Sequence, residues 1–182
     1  MYVNHEQGQK PPNDNRLTQE AIDRAFKNHP RQTKLIYLVS GTKIGVLNGK
    51  FTSQLGVETR QSPTGEAVAV TNLERTLIDA TVRPHYAGGV PVVIGAFAAA
   101  RGKVSIQKLS QMLKQLDYTY PYHQAVGFYL KQSGYTKEDQ TLLKESGINL
   151  RFYLSHGLKA PLFDEDWRIW YPQELLKVGR RT

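Results

Sequence analysis

The chain has 182 residues, with 24 Lys and Arg against 16 Asp and Glu, so its formal net charge is +8. This length suits one globular domain with a core of its own, and the lack of cysteine excludes disulfides, thiolate metal centres and cysteine nucleophiles on this chain. No apolar run reaches the roughly 18–20 residues of a membrane span, and the polar N-terminus is not typical of a signal peptide. We therefore expect a cytoplasmic protein without membrane contacts, whose surplus positive charge favours acidic partners.

The first elements are an extended segment and a short helix. Residues 1–16 are rich in Pro and Asn and predict an extended lead-in. Apolar residues then recur at helical spacing over residues 17–29. Thr18 is suited to cap this helix and Pro30 to stop it.

A small antiparallel sheet is predicted next. Asn48-Gly49 lies between two short apolar runs, which is the strongest short-range signal for a β-hairpin because both residues tolerate the positive φ of a type I′ turn. Residues 62–65 predict a second turn. The predicted strands cover residues 35–39, 43–47, 50–52, 56–61 and 67–70.

A helix is predicted to follow from a capping box at Thr71-Asn72-Leu73-Glu74. In that motif the Thr71 hydroxyl accepts from the Glu74 amide, and the Glu74 carboxylate accepts from the Thr71 amide. Arg75 and Asp79 are four residues apart and can pair on one helical face. We interpret all four charged or hydroxyl side chains as structural, with Gly88 and Gly89 permitting a sharp chain reversal further on.

The rest of the chain is predicted to be mainly helical. The overall prediction is an α+β fold, in which a small antiparallel sheet of the N-terminal half packs with about five to six helices, followed by two short strands near the C-terminus. Residues 17–172 form a single domain and residues 173–182 a basic tail. The later helices are predicted at residues 91–101, 106–116, 121–132 and 137–146, and the strands at 149–154 and 166–171.

The sequence motifs predict no catalytic residue, no metal and no cofactor. Residues 45–50 superficially resemble a phosphate loop, but the glycine spacing is one residue short and Phe51 stands where a magnesium-binding hydroxyl is needed. The five histidines form no pair with metal-binding spacing. The acidic run Asp164-Glu165-Asp166 has no second acidic motif to complete a site, and it is interpreted as a solvated loop that caps the next strand.

The charge distribution is the most informative feature. Between Asp79 and Glu138 the only carboxylate is Asp117, so helices that pack side by side there would present a positive surface able to attract phosphates. The alternative is a solvated basic face without a partner. Tyr118, Tyr120 and Tyr122 lie close by and could stack on bases. The residues predicted to bind nucleic acid are Arg83, Arg101, Lys103, Lys108, Lys114, Lys131, Arg180 and Arg181.

Two tryptophans are candidates for a protein interface. If residues 166–171 form a strand, Trp167 and Trp170 point to opposite faces. One is then expected in the core and the other at the surface, where it could anchor a partner.

The sequence also resembles a known family. ERTLID at residues 74–79, followed by RPHYAGG at 83–89, is similar to the AbiEi family of antitoxins and transcriptional regulators from type IV, abortive-infection toxin–antitoxin systems. Further similarity at residues 17–26, 47–50, 55–57 and 166–168 extends the resemblance over most of residues 2–172. Members of the family typically carry an N-terminal winged-helix DNA-binding domain that is missing here, so we expect the chain to begin at the domain junction, in a trimmed or naturally short form.

The resemblance implies a non-catalytic antitoxin and regulator domain. Such a domain counters a nucleotidyltransferase-like toxin without necessarily forming a stable complex with it. Its nucleic-acid partner would be operator DNA or the RNA target of the toxin. One alternative is a protein-interaction module that binds the toxin directly or forms a homodimer. Another is a nuclease-like or phosphotransfer enzyme built around Glu74, Arg75, Asp79 and residues 164–166.

Overall fold

A computed structural model describes residues 2–8, 17–30 and 32–175. Strands dominate the first part of the chain and helices the second, which confirms the predicted α+β class. The helices are α1 (Gln19–Lys27), α2 (Leu73–Val82), α3 (Val90–Ala100), α4 (Ile106–Leu116), α5 (Tyr122–Gln132) and α6 (Lys137–Lys144). The strands are β1 (Tyr2–Glu6), β2 (Ile36–Val39), β3 (Thr42–Gly49), β4 (Val57–Gln61), β5 (Ala67–Thr71), β6 (Phe152–Tyr153), β7 (Leu162–Asp164) and β8 (Ile169–Tyr171).

The first sheet has the strand order β1-β3-β2. Its outer strand β1 falls within the predicted extended lead-in of residues 1–16, although no strand was predicted there; residues 9–16 lie outside the described part of the chain. β1 runs parallel to β3, with Tyr2 opposite Gly45 and Glu6 opposite Gly49. Exposed and half-buried residues alternate along β1, as expected for a strand with one solvated face.

The hairpin predicted at Asn48-Gly49 is wrong. β3 continues through both residues because β1 pairs with them. The chain reverses instead at Ser40-Gly41, where β2 and β3 are joined antiparallel by two residues with φ of 47° and 77°, as a type I′ turn requires. Residues 50–52, predicted as a strand, do not belong to one.

The other two sheets agree more closely with the predictions. β4 and β5 form the predicted antiparallel hairpin, closed by a hydrogen bond from the Gly65 amide to the Ser62 carbonyl at 2.9 Å. The short strands near the C-terminus are present as β6 and β8. They form a sheet of order β6-β8-β7 whose third strand, β7, was not predicted.

The core lies among α2, α3, α4 and α5, and α1 and the C-terminal sheet contribute to it. Gly88 and Gly89, both with φ near +95°, turn the chain from α2 into α3 as predicted. Within the described residues, the helices are all too short or too polar to span a bilayer. Side chains with no exposed surface include Ile22, Ile78, Val93, Phe97, Leu109, Phe128, Tyr129, Phe152, Trp167 and Ile169.

Candidate nucleic-acid interface

The N-terminus of α2 is capped by Asn72, and the capping box predicted between Thr71 and Glu74 is wrong. The Asn72 side chain accepts from the Arg75 amide at 2.9 Å. Thr71 is the last residue of β5 and pairs with Val57, so its backbone belongs to the sheet. The Thr71 hydroxyl instead lies 2.7 Å from the Thr76 hydroxyl. The cap therefore moves one residue along the chain and leaves the Glu74 carboxylate free to act elsewhere.

Glu74 anchors the N-terminus of α4. Its buried carboxylate accepts from the Ser105 amide at 3.0 Å and from the Lys108 ammonium at 3.3 Å. Burial acts to raise the pKa of Glu74, but these two partners outweigh it and hold the pKa below its ordinary value. A negative charge at a helix N-terminus is favourable, so the Glu74 carboxylate stabilises the start of α4.

Lys50 anchors the opposite end of the same helix. Its ammonium donates to the Leu116 carbonyl at 2.7 Å and to the Asp117 carbonyl, and it lies 5.6 Å from the centre of the Tyr118 ring. A cation at a helix C-terminus is favourable for the same reason as an anion at its start. Lys50 therefore holds α4, and this contact replaces any interpretation of residues 45–50 as a phosphate loop.

Arg75 and Asp79 form the predicted ion pair, with Nε and Oδ1 2.9 Å apart and both side chains buried. The Arg75 guanidinium also donates to the Leu55 carbonyl at 2.6 Å and to the Thr52 hydroxyl at 3.2 Å. Burial raises the pKa of Asp79 even though Arg75 opposes the shift. The pair thereby joins α2 to the segment between β3 and β4, which supports a structural role.

The acidic run that begins at the last residue of β7 is also structural, and it pairs with one of the cations predicted to bind nucleic acid. Lys131 on α5 bridges Asp164 at 2.6 Å and Asp166 at 2.5 Å. The other carboxylate oxygen of Asp164 accepts from the Trp167 amide at 3.0 Å and closes the turn before β8. Lys131 is therefore neutralised by two neighbours.

The remaining predicted cations have different surroundings. Arg83 is half-buried and donates to the Asn4 side chain at 2.9 Å, which ties the end of α2 to β1. Arg180 and Arg181 lie outside the described residues. Four cations are left on the turn between α3 and α4 and on α4 itself, all of them exposed: Arg101, Lys103, Lys108 and Lys114.

These four cations and three glutamines form what we call the α4 surface, consisting of Arg101, Lys103, Gln107, Lys108, Gln111, Lys114 and Gln115. Residues 101–116 contain no carboxylate. Lys108 is paired with Glu74, and Lys114 lies 3.8 Å from Glu145, with both side chains of that second pair more than half exposed. The opposite face of α4 is buried in the core. Lys108, Lys114 and the three glutamines thus share the exposed face of α4, whereas Arg101 and Lys103 lie on the turn before it, where the Arg101 guanidinium donates to the Gly134 carbonyl at 3.4 Å.

A tyrosine-lined cavity of about 210 Å³ opens beside the C-terminal end of α4. The rings of Tyr118 and Tyr122 meet edge to face, with 5.3 Å between their centres. Burial raises the pKa of Tyr118 to about 12, so its hydroxyl stays protonated. Tyr129 on α5 does not reach this cavity and is fully buried in the core. The cavity is lined by Ser110, Leu113, Lys114, Asp117, Tyr118, Tyr120, Tyr122, His123, Leu143 and Ser146.

A second cavity of about 330 Å³, lined by charged and polar side chains, lies between α6 and the turn before β8. Its cations are Lys131, Lys137 and Lys144, and Asp166 lies among them. The hydrogen bond and charge of Lys131 hold the pKa of Asp166 below its ordinary value. Across the described residues, His, Asp and Glu side chains form no cluster of three that could hold a metal ion.

Of the two tryptophans that were candidates for an interface, Trp167 is the one in the core, because it has no exposed surface. It lies in the turn before β8, where its carbonyl accepts from the Gln124 side chain at 2.7 Å and its ring packs on Gly127. Trp170 is half-buried and lies between Phe163 and Tyr153, at ring-centre distances of 4.5 and 6.4 Å. The glycine on α5 that receives the Trp167 ring was not found from the sequence, since the two residues are 40 positions apart.

Comparison with known proteins identifies no relative: no family model, no curated protein and no solved structure matches the chain.

Proposed function

We propose that this chain is a non-catalytic antitoxin and regulator domain of a type IV toxin–antitoxin system, which binds nucleic acid through the α4 surface. The observation that carries the proposal is that α4 is fixed at both ends by contacts with other elements. Glu74 and Lys50 fix its two ends, while its face of Lys and Gln, without carboxylates, is turned to solvent and Arg101 and Lys103 lie on the turn before it. Cations on a rigid helix bind phosphates without losing much conformational entropy.

The charged residues of the ERTLID segment support the non-catalytic part of the proposal. Glu74 is bonded to the start of α4, and Arg75 is bonded to Asp79 and to the segment before β4. All three side chains are buried and engaged with protein groups. This disfavours the nuclease-like or phosphotransfer alternative, because a general acid or base must reach its substrate.

The tyrosine-lined cavity favours RNA with unpaired bases over duplex DNA. Lys114 belongs both to the α4 surface and to the cavity lining, so a backbone phosphate at Lys114 would place a neighbouring base near Tyr118. Stacking of unpaired bases on aromatic rings is typical of single-strand recognition. The RNA target of a nucleotidyltransferase-like toxin is therefore the partner that we propose.

Binding of fluorescent tRNA and duplex DNA at about 50 and 200 mM salt tests the proposal. We expect tRNA to bind more tightly than duplex DNA. The double variant Arg101→Gln/Lys103→Gln should lower the affinity for tRNA. It should also reduce the slope of log affinity against log salt concentration by about 0.7 for each lost single-strand phosphate contact. Tyr118→Leu should lower the affinity about tenfold with an unchanged slope, because stacking involves no counterion release.

The control is Lys159→Gln, which removes one exposed cation outside the α4 surface. Salt-independent binding, absent binding, or an equal effect of this control would contradict the proposal. Co-expression with the paired toxin tests the antitoxin role separately: residues 1–182 should restore growth, and the Arg101→Gln/Lys103→Gln variant should not.

The alternative of a protein-interaction module stays a prediction, with Trp170 now its only tryptophan anchor. Co-elution with the toxin would favour it. A different element, β2, offers a larger exposed apolar surface than Trp170.

A further inference from the structure

β2 and the residue before it form an exposed apolar edge, which we call the β2 edge (residues 35–39). Its five residues, Leu-Ile-Tyr-Leu-Val, are each 52–70% exposed, with Leu38 the most exposed. Among the described residues, β2 has only β3 as a neighbour in its sheet. Natural sheet edges are usually protected by Lys, Pro, a bulge or a covering element. The β2 edge contains no charged residue or proline, so it has the character of a surface that a partner covers.

The backbone of the β2 edge is set up to pair with another strand. Val39 and Thr42 flank the turn into β3, and the Leu35 carbonyl accepts from the Val46 amide at 2.9 Å. Polar groups alternate in direction along an antiparallel pair. The backbone N–H and C=O groups of Leu35, Tyr37 and Val39 therefore point to β3. Those of Ile36 and Leu38 point outward, away from the sheet. The Ile36 amide makes only a local contact of 3.2 Å with the Lys34 carbonyl.

The hairpin that carries this edge is held firmly. The Thr33 hydroxyl donates to the Val46 carbonyl at 2.6 Å, and the Thr33 amide donates to the Tyr86 hydroxyl at 2.7 Å. Leu47 on β3 is buried. An edge that is already positioned loses little entropy when a strand adds to it.

The charge around the β2 edge selects the kind of partner. Residues 24–57 contain no Asp or Glu. Lys34 precedes the edge, and Lys43 lies opposite Leu38 on β3. A second copy of this chain would bring two such basic borders together, which is unfavourable. A strand bordered by carboxylates would match both the apolar centre and the basic border.

We propose that the β2 edge is a docking site for an extended acidic segment of a partner protein, which adds to the β1-β3-β2 sheet as a further strand. This is β-augmentation, in which main-chain hydrogen bonds supply affinity and side chains supply specificity. The site is independent of nucleic-acid binding at the α4 surface, because it lies on a different element.

The test uses the full chain and a fluorescent peptide, Asp-Thr-Ile-Glu-Val-Thr-Val-Glu-Ile-Asp, with a control peptide in which Lys replaces every Asp and Glu. We expect the acidic peptide to bind, to weaken with salt, and to outcompete the Lys peptide. Leu38→Pro should weaken binding at least about tenfold, because it removes an outward N–H while leaving the β3 ladder intact. Leu38→Thr is the matched control, since it removes the same side chain but keeps the N–H, and its loss should be smaller. Lys34→Glu should also weaken binding.

Several results would overturn the inference. These are no binding of the acidic peptide, equal binding of both peptides, or equal binding to wild type and Leu38→Pro. Sedimentation velocity adds another: a wild-type dimer that Leu38→Pro converts to a monomer would assign the edge to a second copy. Binding of tRNA to the same variants separates the two proposals, because a defect at the β2 edge leaves the α4 surface intact.

Discussion

Two helical glycines differ completely in what surrounds them. At Gly127 on α5, an added Cβ would lie 2.2 Å from Cζ3 and Cη2 of the Trp167 ring, which is fully buried. At Gly95 on α3, nothing lies within 4 Å of an added Cβ. The first glycine is required by packing, whereas the second only adds flexibility to a helix.

We therefore expect opposite effects from the same substitution. Gly127→Ala should lower the free energy of unfolding by about 3 kcal/mol, because the tryptophan cannot move without disturbing the core. Gly95→Ala should raise it by about 0.5–1 kcal/mol through helix propensity. Urea denaturation of both variants measures the difference, and a similar change in the two would show that Trp167 is not confined as described.

At the level of elements, α4 was predicted to the residue, while the first sheet was not. Its apolar spacing and the Ser105 cap are local signals, and they give the observed Ile106–Leu116. The first sheet depends on β1, which pairs with residues more than forty positions away and overrides the local turn signal of Asn48-Gly49. A propensity for a turn is weaker than a ladder of backbone hydrogen bonds.

The same distinction applies to the candidate site. The Arg75–Asp79 pair was predictable because its partners are four residues apart. The partners of Glu74, Lys131 and Lys50 lie on other elements, so the sequence showed their charge and not their contacts. The sequence alone did not distinguish Lys108 and Lys114, which stay exposed on α4, from Lys131, which pairs with two carboxylates. The structure was needed to separate them.

Glu74→Gln tests whether the Glu74 carboxylate stabilises the N-terminus of α4. We expect the free energy of unfolding to fall by about 0.5–1 kcal/mol, because the helix N-terminus loses an anion while an amide oxygen can still accept from Ser105. If the α4 surface binds RNA, affinity should rise, since Lys108 loses its anionic partner and becomes available to phosphate. Glu165→Gln is the control, because it removes an exposed carboxylate that lies between β7 and β8, away from the α4 surface and from any helix end. An unchanged stability would contradict the anchoring role, and an unchanged affinity would contradict binding near Lys108.

At the scale of the whole molecule, stability should depend on pH through three histidines. Burial lowers the pKa of His85, His123 and His156 below the ordinary value of 6.5. For His123 and His156, backbone hydrogen bonds oppose this shift without cancelling it. The folded protein therefore binds fewer protons than the unfolded chain just below this pH.

Because the three histidines have lowered pKa values in the folded protein, their contribution to the free energy of unfolding is fully present above pH 6.5. It is lost as the pH falls through these lowered pKa values. We expect the free energy of unfolding from urea titrations to fall between about pH 7.5 and pH 5.5. The raised pKa of Asp79 changes stability with pH in the opposite direction. The histidine contribution is therefore measured by comparing the wild type with a variant that lacks one of the histidines. His123→Gln can still donate to the Gly147 carbonyl that His123 contacts at 2.7 Å, and it cannot titrate. Its slope should therefore be shallower than that of the wild type, and identical slopes would show that His123 keeps its ordinary pKa in the folded state.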